Sequence, residues 1–206
     1  MEKAETMTRE TAVTATGSDR SGASEQSGQR ESREQGEQRE GELRERLADA
    51  LDRAVSAPGF YGTRPYRLLV CDEPEARATL RSFLWRPDRR VSEADAYIVV
   101  GTVWRLGARL EDGRDFALFD TGRVVERLRQ ALVERGLSVR ARAAFRAPEL
   151  HEALGMPREL SLVAMLAVSL EAADRGDAPS VAGGEECGAD GDAAHRERIV
   201  RWNRWS

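Results

Sequence analysis

The chain has 206 residues, a formal net charge of -4 and a sequence pI of about 5.5. This length has room for one domain of ordinary size, and the acidic balance argues against a general nucleic-acid binder, which would be basic. No run reaches the length and apolarity of a transmembrane helix, and the first residues lack both a signal core and a membrane-binding face. The composition therefore predicts a cytoplasmic protein that binds neither nucleic acid nor membrane.

Low-complexity segments divide the chain. No Leu, Ile, Phe, Tyr, Trp or Cys precedes Leu43, so residues 1–42 cannot bury enough apolar surface to offset their ordering entropy and are predicted to be disordered. Residues 43–173 form the predicted domain, and residues 174–194, rich in Gly, Ala, Asp and Glu, a flexible linker. Residues 195–206 carry two tryptophans and are predicted to dock, because tryptophan is rarely left exposed.

Hydrophobic spacing predicts helices and strands in an α+β order. The predicted helices are residues 43–56, 73–84, 120–135 and 148–154, and the predicted strands are residues 66–71, 94–104 and 160–170. Asp120 is predicted to cap the longest helix and Gly136 to end it. Residues 137–145 are ambiguous, and part of the run 160–170 could be helical, because Leu, Met and Ala are not specific to strands.

Residues 57–67, here called the aromatic loop, read Ala-Pro-Gly-Phe-Tyr-Gly-Thr-Arg-Pro-Tyr-Arg and join the first helix to the first strand. Their prolines and glycines cannot continue a helix and predict a fixed loop with aromatic walls. Such a loop is suited to seating a planar ligand. The alternative is an ordinary connection, because most loops only connect elements.

Sequence motifs for catalysis are absent. The chain has no glycine-rich phosphate loop, no nucleophile elbow and no zinc-binding helix motif, and Cys71 and Cys187 lack the spacing of a metal site. His151 lies in a predicted helix and His195 in the tail, and no pair of carboxylates stands out as acid and base. No catalytic residue and no metal site are predicted, so an enzyme of this sequence would take its chemistry from a cofactor.

Several stretches resemble, in order, motifs of the nitroreductase family of flavoproteins. The aromatic loop resembles the family's A-P-S-x-x-N-x-Q-P-W-R loop, and residues 94–100 resemble the family's strand that follows an acidic-Ala-Pro-type lead. Residues 120–137 resemble the long core helix ending in Gly-Leu, residues 149–157 a turn ending in proline, and residues 199–205 the closing segment. The resemblance extends from Leu43 to the C-terminus and implies a mixed sheet flanked by helices.

The resemblance also implies a function. Family members are intertwined homodimers with FMN at two subunit-interface sites, and they transfer electrons from NAD(P)H to nitroaromatics, quinones or similar acceptors in a ping-pong reaction. Gly59 and Gly62 would let the backbone approach the flavin, Arg64 would face its pyrimidine edge, and residues 136–138 would offer backbone donors. The residues that the resemblance assigns to the cofactor are Gly59, Tyr61, Gly62, Arg64, Gly136, Leu137, Ser138 and Arg196.

Departures from the family pattern keep alternatives open. An Arg-Arg-Ser-x-Arg segment usually binds the flavin phosphate, whereas here the corresponding region is low in complexity, with only Arg44 and Arg46 nearby. The aromatic loop reads Gly-x-x-Gly-x-Arg where the family has Ser-x-x-Asn-x-Gln. One alternative is a flavin-free dimer of this fold that acts as a binding or regulatory module. Another is an unrelated α+β domain.

Overall fold

The structure, a computed structural model, describes residues 21–56, 58–170 and 193–205 and divides into the units Met1–Glu40 and Gly41–Ser206. The described part of the first unit is helical and belongs to α1 (Ser21–Ser56). Its helix-forming Glu, Gln and Arg side chains include an ion pair one turn apart, between Arg33 and Glu37. The predicted disordered segment is therefore divided: residues 1–20 lie outside the described residues, and residues 21–42 are helical.

The second unit continues α1 and contains the sheet. Its further helices are α2 (Pro74–Ser82), α3 (Arg89–Ser92), α4 (Ala117–Glu134), α5 (Ala147–Ala153) and α6 (Ala193–Ile199). The strands are β1 (Tyr66–Cys71), β2 (Ala96–Val103), β3 (Ser138–Arg142), β4 (Leu160–Ser169) and β5 (Val200–Trp202). The ambiguous residues after α4 are thus a strand, and the run 160–170 is a strand rather than a helix.

The five strands form one mixed sheet in the order β3-β4-β2-β1-β5. β2 pairs antiparallel with both β1 and β4, whereas β5 pairs parallel with β1, placing Val200 beside Leu68. All eight residues of β2 are buried, as expected for the central strand that its continuous apolar run predicts. The predicted mixed sheet flanked by helices is confirmed.

Alternating side chains of the strands build two cores, one on each face of the sheet. Leu68 and Val70 of β1 pack with the apolar faces of α1 and α4. Leu69 and Cys71, one residue out of phase, pack on the opposite face with residues of α2 and α5. α1 and α4 therefore cover the same face, and the aromatic loop lies between α1 and the start of β1.

The C-terminal segment attaches to the edge of the sheet through β5. Ile199 and Val200 are buried in the core that contains α1, and Trp205 packs partly buried against the other core. The predicted linker, residues 174–194, falls almost entirely outside the described residues, which resume at residue 193.

The start of α4 differs from the sequence prediction. The helix begins at Ala117, and the carboxylate of Asp115 accepts a hydrogen bond from the Ala117 N–H at 2.8 Å. Asp120 therefore lies within the first turn and does not cap the helix. The predicted end is confirmed, because Gly136 follows α4 with a φ of 73°, the left-handed conformation that favours glycine.

Candidate functional site

The aromatic loop is closed on itself by backbone hydrogen bonds. The Gly59 N–H donates to the Thr63 carbonyl at 2.8 Å, and the Thr63 N–H donates to the Phe60 carbonyl at 3.1 Å. Tyr61 and Gly62 both have positive φ, 53° and 73°, which turns the chain sharply between them. The loop is thus a compact turn, as its prolines and glycines predict.

Aromatic rings form an exposed surface at this turn. Phe60 stacks on Phe116 with ring centroids 4.7 Å apart and meets the edge of Phe119 at 5.5 Å. The guanidinium of Arg123 lies over both Phe60 and Phe119. Tyr61 is 71% exposed and Phe119 53% exposed. These rings form an apolar patch that is open to a planar ligand or to another protein surface.

Asp120 lies beneath the loop and holds its backbone. Both carboxylate oxygens are 3.0 Å from the Phe60 nitrogen, and Oδ2 also accepts a hydrogen bond from the Thr63 hydroxyl at 3.2 Å. Arg123 approaches the same carboxylate at 3.6 Å. Sequence reasoning missed this role, because an aspartate near the start of a helix is ordinarily interpreted as a cap.

Arg64 points back from the loop toward the end of α1. One guanidinium nitrogen donates to the Ser56 carbonyl at 3.2 Å. Its Nε is buried and has no hydrogen-bond partner among the described residues. Burial raises the pKa of the neighbouring Tyr66 hydroxyl, and the charge of Arg64 acts in the opposite direction. Arg64 is therefore a half-buried cation whose Nε has no hydrogen-bond partner among the described residues.

Gly136, Leu137 and Ser138 are not brought to the aromatic loop of the same chain. They follow the far end of α4, whose 18 residues span about 27 Å. The N–H groups of Gly136 and Leu137 already donate to the carbonyls of Val133 and Leu132, at 2.9 and 3.1 Å. These bonds close the C-terminus of the helix, and the assignment of residues 136–138 to the cofactor stays a prediction.

The arginine assigned to the cofactor, and the two arginines nearest to where the family's arginine-rich segment would lie, are paired with carboxylates. Arg196 lies 2.6 Å from Asp52, whose pKa is raised by burial and lowered in turn by Arg196. Arg44 pairs with Asp72 at 3.1 Å, and Arg46 pairs with a glutamate one helical turn earlier. None of these three guanidinium groups is therefore a free anion-binding group.

A different group of arginines lies beside the aromatic loop. Arg67 donates to the carbonyls of Arg64 and Tyr66 at 3.1 and 2.7 Å. Its pKa is lowered, first by burial and then by the positive charges of Arg105, Arg198 and Arg201. We call these four residues the arginine cluster. Arg105 also pairs with Glu159 at 3.8 Å, and Arg201 donates to the Glu197 carbonyl. Like charges disfavour one another, so an anion bound among these arginines would relieve part of their repulsion.

Comparison with solved structures identifies the fold. A nitroreductase family protein from Clostridium novyi NT superposes with a TM-score of 0.61 at 18% identity, covering 79% of this chain and 84% of that one. The chain has the nitroreductase fold. The resemblance drawn from the sequence is thereby confirmed at the level of the fold. No protein-family model and no curated protein matches the sequence itself.

Two further solved structures with the nitroreductase fold are of proteins connected with FMN. One, from Exiguobacterium sibiricum 255-15, was crystallised with FMN and has a TM-score of 0.56 at 21% identity, covering 68% of this chain and 82% of that one. Another, from Staphylococcus epidermidis ATCC 12228, is assigned as an NAD(P)H:FMN oxidoreductase and has a TM-score of 0.57 at 13% identity, with the same coverage of 68% and 82%.

Proposed function

We propose that this chain is a divergent nitroreductase-family flavoprotein that binds FMN and oxidises NAD(P)H, with a nitroaromatic, quinone or similar compound as acceptor. The observation that carries the proposal is the aromatic loop, which combines exposed rings with the half-buried guanidinium of Arg64, whose Nε has no hydrogen-bond partner among the described residues. FMN, when bound, supplies the redox chemistry by accepting a hydride and passing electrons to the acceptor. The protein then needs only to bind, orient and shield it.

The aromatic loop is suited to the ring end of a flavin. Phe60 and Tyr61 offer stacking surfaces, and Gly62 leaves open space where a side chain would lie. Arg64 offers an unused N–H donor and a positive charge, which would favour reduced over oxidised flavin. Gly59 contributes differently from the sequence prediction, because its open side is filled by Asp120.

The arginine cluster is the part of the chain suited to the flavin phosphate. Arg67 contacts the carbonyl of Arg64, so the cluster adjoins the aromatic loop. Guanidinium groups bind phosphate well because they present several donors in one plane. We assign the phosphate to this cluster rather than to Arg196, whose charge is used by Asp52.

We also propose that the protein acts as a cytoplasmic homodimer. The exposed side chains of Phe60, Leu118 and Phe119 form an apolar surface at the start of α4. Such surfaces are typical of subunit contacts. No helix among the described residues is both long and apolar enough to cross a bilayer. Residues 136–138 would then have to approach a flavin of the partner subunit, since they lie far from the loop of their own chain.

A flavin-free binding or regulatory module is the second candidate function. The pairing of Arg44, Arg46 and Arg196 with carboxylates favours it, because the expected phosphate-binding residues are neutralised within the chain. A protein that kept the fold and lost its cofactor would retain the aromatic loop as a binding surface.

A flavin-binding experiment separates the two candidates. The purified chain is mixed with FMN and passed through a gel-filtration column, and the protein peak is examined for flavin absorbance and for its mass. Flavin that elutes with a dimer supports the redox enzyme and is followed by measurement of NAD(P)H oxidation. A colourless dimer supports the binding module and contradicts the proposed enzyme.

Arg64→Ala tests the assignment of the ring end. Loss of one charged hydrogen-bonding group is expected to raise the Kd for FMN about tenfold, measured by quenching of flavin fluorescence. Arg129→Ala is the matched control, because Arg129 pairs with Glu126 on the surface of α4. Equal affinity of the Arg64→Ala and wild-type proteins for FMN would remove Arg64 from the site.

A further inference from the structure

The carboxylate of Asp120 is fully shielded from water, although aspartate is ordinarily a surface residue. A buried carboxylate is costly unless charged or hydrogen-bonding partners compensate for its lost hydration. Its partners among the described residues are the Phe60 N–H, the Thr63 hydroxyl and the more distant Arg123. Two of these three belong to the aromatic loop, so this loop is what compensates most directly for the burial.

The fit between the loop and this carboxylate is close. A Cβ atom at position 59 would lie 2.3 Å from both Cγ and Oδ2 of Asp120, far inside normal contact distance. Only glycine therefore allows the backbone to rest on the carboxylate. Asp120 thus contacts the turn at three positions, 59, 60 and 63.

The turn held in this way carries the groups of the proposed flavin site. The single hydroxyl proton of Thr63 is shared between Oδ2 of Asp120 and the Phe60 carbonyl, whose oxygen lies 2.9 Å from the hydroxyl, so one side chain contacts both the carboxylate and the start of the turn. Tyr61 lies inside this closed segment, and Arg64 follows it directly. A displacement of the turn would move the aromatic rings and the guanidinium of Arg64 together.

We propose that Asp120 is the positioning residue of this site: its buried carboxylate holds the turn 59–63 in the conformation that presents Phe60, Tyr61 and Arg64 to the flavin. The inference rests on the proposed function and extends it by naming the residue that pre-organises the loop. Pre-organisation raises affinity, because the ordering cost of the loop is met before the ligand binds.

Asp120→Asn and Thr63→Val test this inference. Asp120→Asn keeps the shape and removes the charge, and Thr63→Val removes only one hydrogen bond. Thr63→Ser, which keeps the hydroxyl, and Glu126→Gln, a carboxylate-to-amide change on the surface of the same helix, are the matched controls. Two quantities are measured on each full-length protein: hydrogen exchange of a peptide containing the Phe60 amide without FMN, and the Kd for FMN.

The expected result is exchange at Phe60 about tenfold faster in Asp120→Asn, together with a Kd for FMN raised about tenfold. Thr63→Val should change both quantities in the same direction, and both controls should match the wild-type protein. Unchanged exchange in Asp120→Asn overturns the inference, as does faster exchange with unchanged affinity for FMN. If the wild-type chain binds no FMN, the proposed function fails separately, and the exchange comparison alone decides whether Asp120 holds the turn.

Discussion

Gly59 illustrates how one missing side chain permits the contact on which the aromatic loop depends. The residue has ordinary negative φ, so its backbone conformation alone does not require glycine. Its requirement comes from space, because Asp120 fills the position of a side chain. Gly62 differs, since it has a positive φ and open surroundings. Two glycines of one loop are thus used for different physical reasons.

Gly59→Ala is expected to destabilise the protein by about 2 kcal/mol, because the new methyl group must displace a buried and hydrogen-bonded carboxylate. Gly122→Ala is the control on α4: nothing lies within 4 Å of its Cβ position. That change should stabilise the protein by about 0.5–1 kcal/mol, because alanine is the better helix former. Urea denaturation measures both, and equal stability of the Gly59→Ala and wild-type proteins would contradict the close contact.

Among the elements, β5 shows how three residues are held at the edge of a sheet. Arg44 of α1 pairs with Asp72 and lies over the ring of Trp202, with 5.0 Å between the guanidinium and the ring centroid. Immediately after β5, the amide oxygen of Asn203 accepts hydrogen bonds from the N–H groups of Asp72 and Glu73 at 3.0 and 3.1 Å. These contacts hold the C-terminal segment in place at the end of its short strand.

Asn203→Ala is expected to lower the free energy of unfolding by about 2–3 kcal/mol. The change removes the side-chain bonds to Asp72 and Glu73 and places alanine at a φ of 59°, which asparagine tolerates better. Asn203→Gly keeps the backbone freedom and loses only the bonds, so it should be the less destabilised variant. Thermal unfolding followed by circular dichroism measures the difference, and an Asn203→Gly protein as unstable as Asn203→Ala would exclude backbone strain as a contribution.

At the scale of the whole molecule, the two units differ in what supports them. In the unit Gly41–Ser206, α1 contributes buried side chains from Leu43 onward. In the unit Met1–Glu40, all described side chains are exposed, and Arg33 forms an ion pair with Glu37 one helical turn away.

Deletion of residues 1–40 is expected to leave the stability of the domain within about 0.5 kcal/mol of the full chain, because every side chain described in this range is exposed. Chemical denaturation of both proteins checks this. Deletion through residue 47 is the comparison, since it also removes the buried Leu43 and Leu47 and should be strongly destabilising. A large loss of stability in the shorter deletion would show that the first unit supports the core.

The sequence by itself determined the order of the elements, the central strand β2, the end of α4 at Gly136 and the nitroreductase fold. The first three follow from hydrophobic periodicity and from the conformations that Gly and Pro require, both of which are local, whereas the fold follows from the resemblance of several motifs to the nitroreductase family. Only the tertiary structure decided that Asp120 holds the aromatic loop, that Arg196 is neutralised by Asp52, and that residues 136–138 lie far from Arg64. Such pairings join residues 60 or more positions apart, and no local pattern specifies which distant side chain will compensate a buried charge.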